Sequence, residues 1–252
     1  MDTKKPIIIT MASLKGGVGK SIFSILFSYV LKNLSKKVLL LDLDSQNSLT
    51  SYFRKYVFNI EKYNIYNILK GDVYFDKCIN KINDHISLIP SHPILAKFNS
   101  EEGIDYKDVR LNYHLNENII DIDFDYILID TPPSLDFLLK NALNVSDHIV
   151  IPVQVERWSV ESLVILMETI GDIQNLRNKI SNISIVENQF IKNRNTLKDL
   201  ENALFKEYGK YIKGKVHFYN SIKIIINELL EPSLKAKYYK EIGSTLRNIM
   251  CL

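Results

Sequence analysis

Cysteine is nearly absent. Cys78 and Cys251 are the only two in 252 residues, far apart in sequence. They form no Cys-x-x-Cys pair, so a disulfide framework and a thiolate metal site are both excluded, which fits a reducing compartment. Long apolar runs are missing as well. No window approaches the roughly 20 apolar residues that a bilayer-spanning helix needs. The N-terminus, Met1-Asp2-Thr3-Lys4-Lys5-Pro6, lacks the apolar core of a secretory signal. Charge of one sign is scarce: 32 Lys and Arg against 29 Asp and Glu leave a net +3. Such a balance permits contact with a polyanion without demanding it. There is no Pro/Gly/Ser linker, no low-complexity tract and no internal repeat, so a single domain over residues 1–252 is expected. Glycine is also sparse, at 9 residues, which makes the clustering of Gly16, Gly17 and Gly19 informative.

What is present begins with a short, β-branched apolar run, Ile7-Ile8-Ile9, typical of a central parallel strand. The glycine cluster follows directly. Ile22 to Leu34 then shows helical spacing of Ile22, Ile25, Leu26, Tyr29, Val30 and Leu34. Val38 to Leu41 is a second buried strand. The first 44 residues therefore read as a βαβ unit. Ser45 to Lys81 is predicted helical in pieces. Further strands are expected at Ile86–Ile89, Tyr126–Ile129, Ile149–Val153, Ile183–Val186 and Val216–Phe218. Helices are expected at Ser159–Leu176 and Thr196–Tyr208, with a C-terminal helix starting at Pro232 and running through Lys237 to Ile249. The alternation predicts an α/β fold: a mostly parallel, twisted sheet with helices on both faces.

The segment Lys15-Gly16-Gly17-Val18-Gly19-Lys20-Ser21 carries the chemistry. The usual phosphate-loop pattern is Gly-x-x-x-x-Gly-Lys-Ser/Thr. Gly19-Lys20-Ser21 matches its second half, whereas Leu14 stands where the first glycine belongs. The physics survives. Glycines reach backbone angles closed to other residues, so successive N–H groups can face phosphate oxygens. The helix starting near Lys20 presents free N–H groups and its positive dipole end to the same anion. Lys20 is expected against the β- and γ-phosphates and the Ser21 hydroxyl on Mg²⁺. Lys15 adds a second cation at the loop entrance. A bare strand-to-helix turn needs one or two glycines; it does not need three with two lysines and a serine.

Asp42, Asp44 and Asp130 each end or follow an apolar strand. In open α/β sheets ligands bind beyond the carboxyl ends of strands, so all three acids are expected at the phosphate-loop edge. Asp130, after Tyr126-Ile127-Leu128-Ile129, has the placement of an acid that holds Mg²⁺ through water. Asp44 is placed to orient a water for attack on the γ-phosphate.

Together these segments resemble the ParA/MinD ATPases. Lys15–Ser21 resembles their deviant Walker A loop, Leu39–Gln46 their second motif, and Phe124–Leu135 their Walker B segment. The likeness continues through Asn141-Ala142-Leu143 and Ser146-Asp147 into Ile151-Pro152-Val153-Gln154, Glu156 and Glu161, and is greatest to the ParA partition ATPases. It implies ATP and Mg²⁺ as cofactors and slow, partner-stimulated hydrolysis. It also implies an ATP-bound sandwich homodimer, non-specific DNA binding, a centromere-binding ParB-like partner, and a cytoplasmic, nucleoid-associated location. Carried over by position, Lys15 is the cross-dimer lysine; residues 15 to 22, including Val18 and Ile22, line the nucleotide; and Asn188 is the adenine contact. One departure stands out. The family's Asp-Pro-Gln-Gly-Asn is here Asp44-Ser45-Gln46-Asn47-Ser48, which puts the shape of that loop in question. The cysteines do not fall where the related nitrogenase iron protein would need them.

With no helix-turn-helix segment ahead of the first strand, no sequence-specific repressor activity is expected. Non-specific DNA binding needs a basic patch. Candidates are Lys192, Lys213, Lys215, Lys223, Lys235, Lys237 and Arg247, together with Arg194, which falls where the resembling family places a DNA-contacting arginine. Of these, Arg194 and Lys223 are the leading pair. The alternative is a MinD-like membrane-cycling ATPase. Tyr239, Ile242, Leu246 and Ile249 among lysines and arginines make an amphipathic terminal helix. Such helices mostly pack on a core, so no membrane association is expected.

Overall fold

Each apolar run identified in the sequence becomes a strand of one sheet. The computed structural model describes residues 5–118, 123–177, 181–190 and 198–250. Its strands are β1 (Ile7–Met11), β2 (Val38–Asp42), β3 (Asn80–Lys81), β4 (Ile86–Ile89), β5 (Tyr126–Asp130), β6 (His148–Val153), β7 (Asn182–Phe190) and β8 (Ile212–His217). They form an eight-stranded sheet in the order β3-β4-β2-β5-β1-β6-β7-β8. Every neighbouring pair is parallel except the two-residue β3, which runs antiparallel to β4.

Period-two alternation divides the apolar strands between two buried faces. Ile9, Met11, Val38, Leu40 and Leu128 pack under α1 (Lys20–Asn33) and α9 (Lys237–Met250). Ile8, Leu39, Leu41, Ile127 and Ile129 pack on the other face under α3 (Ile65–Lys70), α4 (Arg110–Asn118) and α5 (Phe137–Val145). That layer continues over Ile149, Ile151 and Ile185 beneath α6 (Arg157–Arg177) and α7 (Lys198–Tyr208). Two short helices complete the described elements used below: α2 (Ser48–Tyr52) and α8 (Asn220–Asn227).

The structure departs from the sequence reading, or adds to it, at three places. β7 does not stop at Val186 but continues through Glu187, Asn188 and Gln189, so Asn188 lies within a strand. Its polar extension is held by side-chain partners: Glu187 lies 3.0 Å from Lys215, and Asn188 bonds the phosphate loop. The segment Asn220–Asn227, to which the sequence reading assigned no element, is helical, with Ile222 and Ile225 buried on one face. The C-terminal helix starts at Lys237, not Pro232; ahead of it Ala236 N–H closes a turn onto Ser233 O at 3.0 Å. As expected, Tyr239, Ile242, Leu246 and Ile249 of α9 are buried in the core. No helix among the described residues is long and apolar enough to cross a membrane.

Candidate nucleotide site

Parallel pairing brings the carboxyl ends of β1, β2, β5, β6 and β7 to one edge. Met11 pairs with Asp130 and Val150, and Asp42 pairs with Asp130. The loop from β1 into α1 sits over this edge. Gly17 and Gly19 have φ of 76° and 101°, so both need the left-handed region that glycine tolerates. Gly19 is the N-cap of α1, and no side chain caps that helix start. The first N–H groups of α1 therefore have no side-chain acceptor, the arrangement that suits an anion.

Both lysines fold onto the loop. Lys20 is 7% exposed, and its Nζ donates to Ser13 O at 3.3 Å and Lys15 O at 3.4 Å. Burial lowers its pKa, while Asp130 and Asp44 act in the opposite sense. Lys15 Nζ lies 2.5 Å from Glu156 Oε2 in the loop after β6.

The three aspartates differ in what surrounds them. Asp42 accepts hydrogen bonds from Asp44 N–H at 3.1 Å, Thr50 N–H at 2.8 Å and the Thr50 hydroxyl at 2.7 Å. Burial pushes its pKa up to about 7, against those bonds. Asp42 thus lies at the expected edge, but both its oxygens are engaged in fastening the loop into α2. Asp44 Oδ1 accepts from Gln46 N–H at 2.9 Å, and burial raises its pKa. Asp130 is fully buried, and neither carboxylate oxygen has a hydrogen-bond partner. Burial first, then the Asp42 charge, hold its pKa well above the usual carboxylate range; the nearby Ser21 hydroxyl and Lys20 act in the opposite sense.

A buried carboxylate without a donor is costly to keep, and a cation relieves that cost. The donors available are oxygens alone: Asp130, Ser21 and Asp44. Such a set fits Mg²⁺, a hard cation usually held by one or two protein oxygens with phosphates and water. No larger cluster of His, Cys, Asp and Glu competes for a metal among the described residues.

Residues 6–185 match the family model described as an AAA domain. Over 212 residues the chain is 32% identical to the sporulation initiation inhibitor protein Soj of Bacillus subtilis, covering 83% of this chain and 81% of that protein. The chain belongs to the ParA/MinD family of P-loop ATPases. It is also 28% identical to the chromosome partitioning protein ParA of Caulobacter vibrioides over 219 residues, covering 84% and 76% of the two chains. A crystal structure of a plasmid partition protein from Borrelia burgdorferi superposes with a TM-score of 0.81 at 36% identity, covering 98% of this chain and 99% of that one. A Borrelia burgdorferi B31 plasmid partition structure bound to AMPPNP gives a TM-score of 0.86 at 36% identity over the same shares.

Within this ParA/MinD ATPase, the altered second motif keeps its turn. Asn47, at the position of the family's glycine, has φ of 48° and ψ of 35°, and asparagine is among the residues that best tolerate this conformation. Asn188, for which the resemblance implies an adenine contact, donates its Nδ2 N–H to Val18 O of the phosphate loop at 2.7 Å. Gln154 Nε2 donates to Gly17 O at 3.2 Å. These two contacts, and the pairing of Glu156 with Lys15, were not anticipated. The residues are separated from the loop by more than a hundred positions, and only the strand order brings them together.

Of the basic candidates, Lys213 and Lys215 lie on β8, Lys223 on α8, and Lys237 and Arg247 on α9. Arg194 and Lys192 lie outside the described residues. Lys223 is exposed on α8 with its ammonium 4.9 Å from the Phe218 ring centroid. Lys215 is engaged by Glu187 at 3.0 Å and Glu201 at 2.6 Å, which removes it from a DNA-facing set.

Proposed function

We propose that this chain is an ATP-driven DNA partition ATPase. The observation that carries the reading is the pairing of a two-lysine phosphate loop with Asp130, a fully buried carboxylate that has no hydrogen-bond partner. Lys20 holds the β- and γ-phosphates, and the backbone N–H groups of residues 16 to 22 line the nucleotide. Ser21 would ligate Mg²⁺ and Asp130 would hold it through water; when bound, the ion would supply neutralisation of phosphate charge. Asp44 orients the attacking water. Its raised pKa suits a group that takes up a proton as the water attacks. Lys15 exchanges Glu156 for the phosphates of a second subunit, so ATP joins two copies in a sandwich dimer.

That dimer binds DNA without sequence preference, with Arg194 and Lys223 as contacts. It releases DNA upon slow hydrolysis stimulated by a centromere-binding, ParB-like partner. Asn188 contacts adenine. The chain functions as one domain in the cytoplasm, associated with the nucleoid. Partition is favoured over membrane cycling because the apolar stripe of α9 is buried against the core and has no face left for lipid.

The test is DNA binding by the Asp44→Ala variant with ATP across a salt series. Affinity falls steeply with salt, and Arg194→Ala flattens the slope while ATP binding is kept. Binding to anionic vesicles in place of DNA would overturn the partition reading.

A further inference from the structure

The phosphate loop is tied from outside by two amide side chains. Asn188 Nδ2 donates to Val18 O at 2.7 Å and Gln154 Nε2 to Gly17 O at 3.2 Å. A trans peptide is planar, with its C=O and N–H pointing in opposite directions. Drawing the Gly17 carbonyl toward Gln154 therefore turns the Val18 N–H the other way. Drawing the Val18 carbonyl toward Asn188 does the same to the Gly19 N–H. A glycine-rich loop without such ties samples many orientations of these peptide planes.

Two further observations show that the ties are built in. A Cβ on Gly19 would lie 2.4 Å from Asn188 Nδ2, so the third glycine makes room for the asparagine as well as supplying a φ of 101°. Asn188 is 8% exposed, so its amide has little water to bond instead. The ties also share a platform. Gln154 follows β6 and Asn188 lies in β7, and these strands pair continuously from His148 with Asn182 to Val153 with Glu187.

We propose that Gln154 and Asn188 are positioning residues for the polyphosphate. They fix the Gly17–Val18 and Val18–Gly19 peptides so that two N–H groups are already aimed into the anion cradle. The proposal rests on nucleotide binding at this loop. It assigns Asn188 a task that needs no base.

The experiment is calorimetric titration of wild type, Gln154→Leu and Asn188→Leu with Mg-ADP and with Mg-tripolyphosphate, which has no adenine. Each variant is expected to bind tripolyphosphate roughly three- to tenfold more weakly, the effect of one lost hydrogen bond. Gln154→Leu should weaken ADP by the same factor. Hydrogen exchange of the unliganded loop should quicken in both variants, a readout independent of affinity. Unchanged tripolyphosphate affinity and unchanged exchange would overturn the proposal. Loss of ADP affinity alone in Asn188→Leu would mark Asn188 as a base contact only and overturn its positioning role. A wild type that binds neither ligand would instead refute the nucleotide site itself, and the proposal with it.

Discussion

Replacing Gly19 with alanine should damage the loop in two separable ways. Gly19 has φ of 101° and ψ of 19°, and an L-residue in the left-handed region costs about 1–2 kcal/mol. The new Cβ would also meet Asn188 Nδ2 at 2.4 Å and Asn188 Cγ at 3.6 Å. The amide can swing aside, but then the bond to Val18 O breaks, and a buried group left unsatisfied costs about 1–3 kcal/mol. The sum is roughly 2–5 kcal/mol, a melting-temperature loss of about 5–15 °C for a chain of this size. Gly16→Ala is the control: its Cβ meets nothing within 4 Å, and its φ is not positive, so it should melt with wild type. The assay is thermal unfolding without ligand, run in both the wild-type and the Asn188→Ala background. About half of the Gly19→Ala cost should disappear in the second background, because the steric partner is gone. An equal cost in both backgrounds, or a Gly16→Ala variant as unstable as Gly19→Ala, would show that Asn188 is not what the new Cβ meets.

Three other outcomes follow from the same geometry. Asp130→Asn should raise the ligand-free stability by about 1–3 kcal/mol, because it removes a buried carboxylate that burial and the neighbouring Asp42 disfavour more than Lys20 supports it; the same variant should lose the thermal shift that Mg-ATP produces in wild type. Asn47→Gly should be neutral or stabilising, and Asn47→Val should cost about 1–2 kcal/mol in chemical denaturation, since φ is 48° there. Burial, then the Arg110 charge, hold the His114 pKa below its ordinary value of 6.5. The folded state therefore resists a proton that the unfolded chain accepts, and this contribution is present above pH 6.5 and lost as pH falls toward the folded pKa. The stability of His114→Gln relative to wild type should be constant above about pH 7.5 and rise as pH drops below about 6.5; a pH-independent difference would contradict it.

The β1–α1–β2 unit and the strand ending in Asp130 were readable because their signals are local. A continuous β-branched run can be buried on both faces only in a parallel sheet, and three clustered glycines before a helix have few other uses. Asp42 shows where this stops. Its position is the same in kind as that of Asp130, and the Asp44 N–H with the hydroxyl and N–H of Thr50, eight residues on, make it a structural anchor, whereas Asp130 has no such bonds. The ties from Gln154 and Asn188 were beyond reach for the opposite reason. They depend on β6 lying beside β1 and β7 beside β6, a fact of strand order that local pattern does not encode. Asn47 is an intermediate case: losing a glycine looked like losing a turn, but the φ of 48° explains why asparagine replaces it.

In the proposed mechanism, Lys15 makes this loop half of a two-subunit ATP site. Size-exclusion chromatography with light scattering tests it most directly, using wild type, Asp44→Ala and the Asp44→Ala/Lys15→Ala double variant with Mg-ATP. Asp44→Ala should elute as a stable ATP-bound dimer, and the double variant should remain monomeric while still binding nucleotide through Lys20. A monomer under every condition, or a dimer indifferent to Lys15, would contradict it.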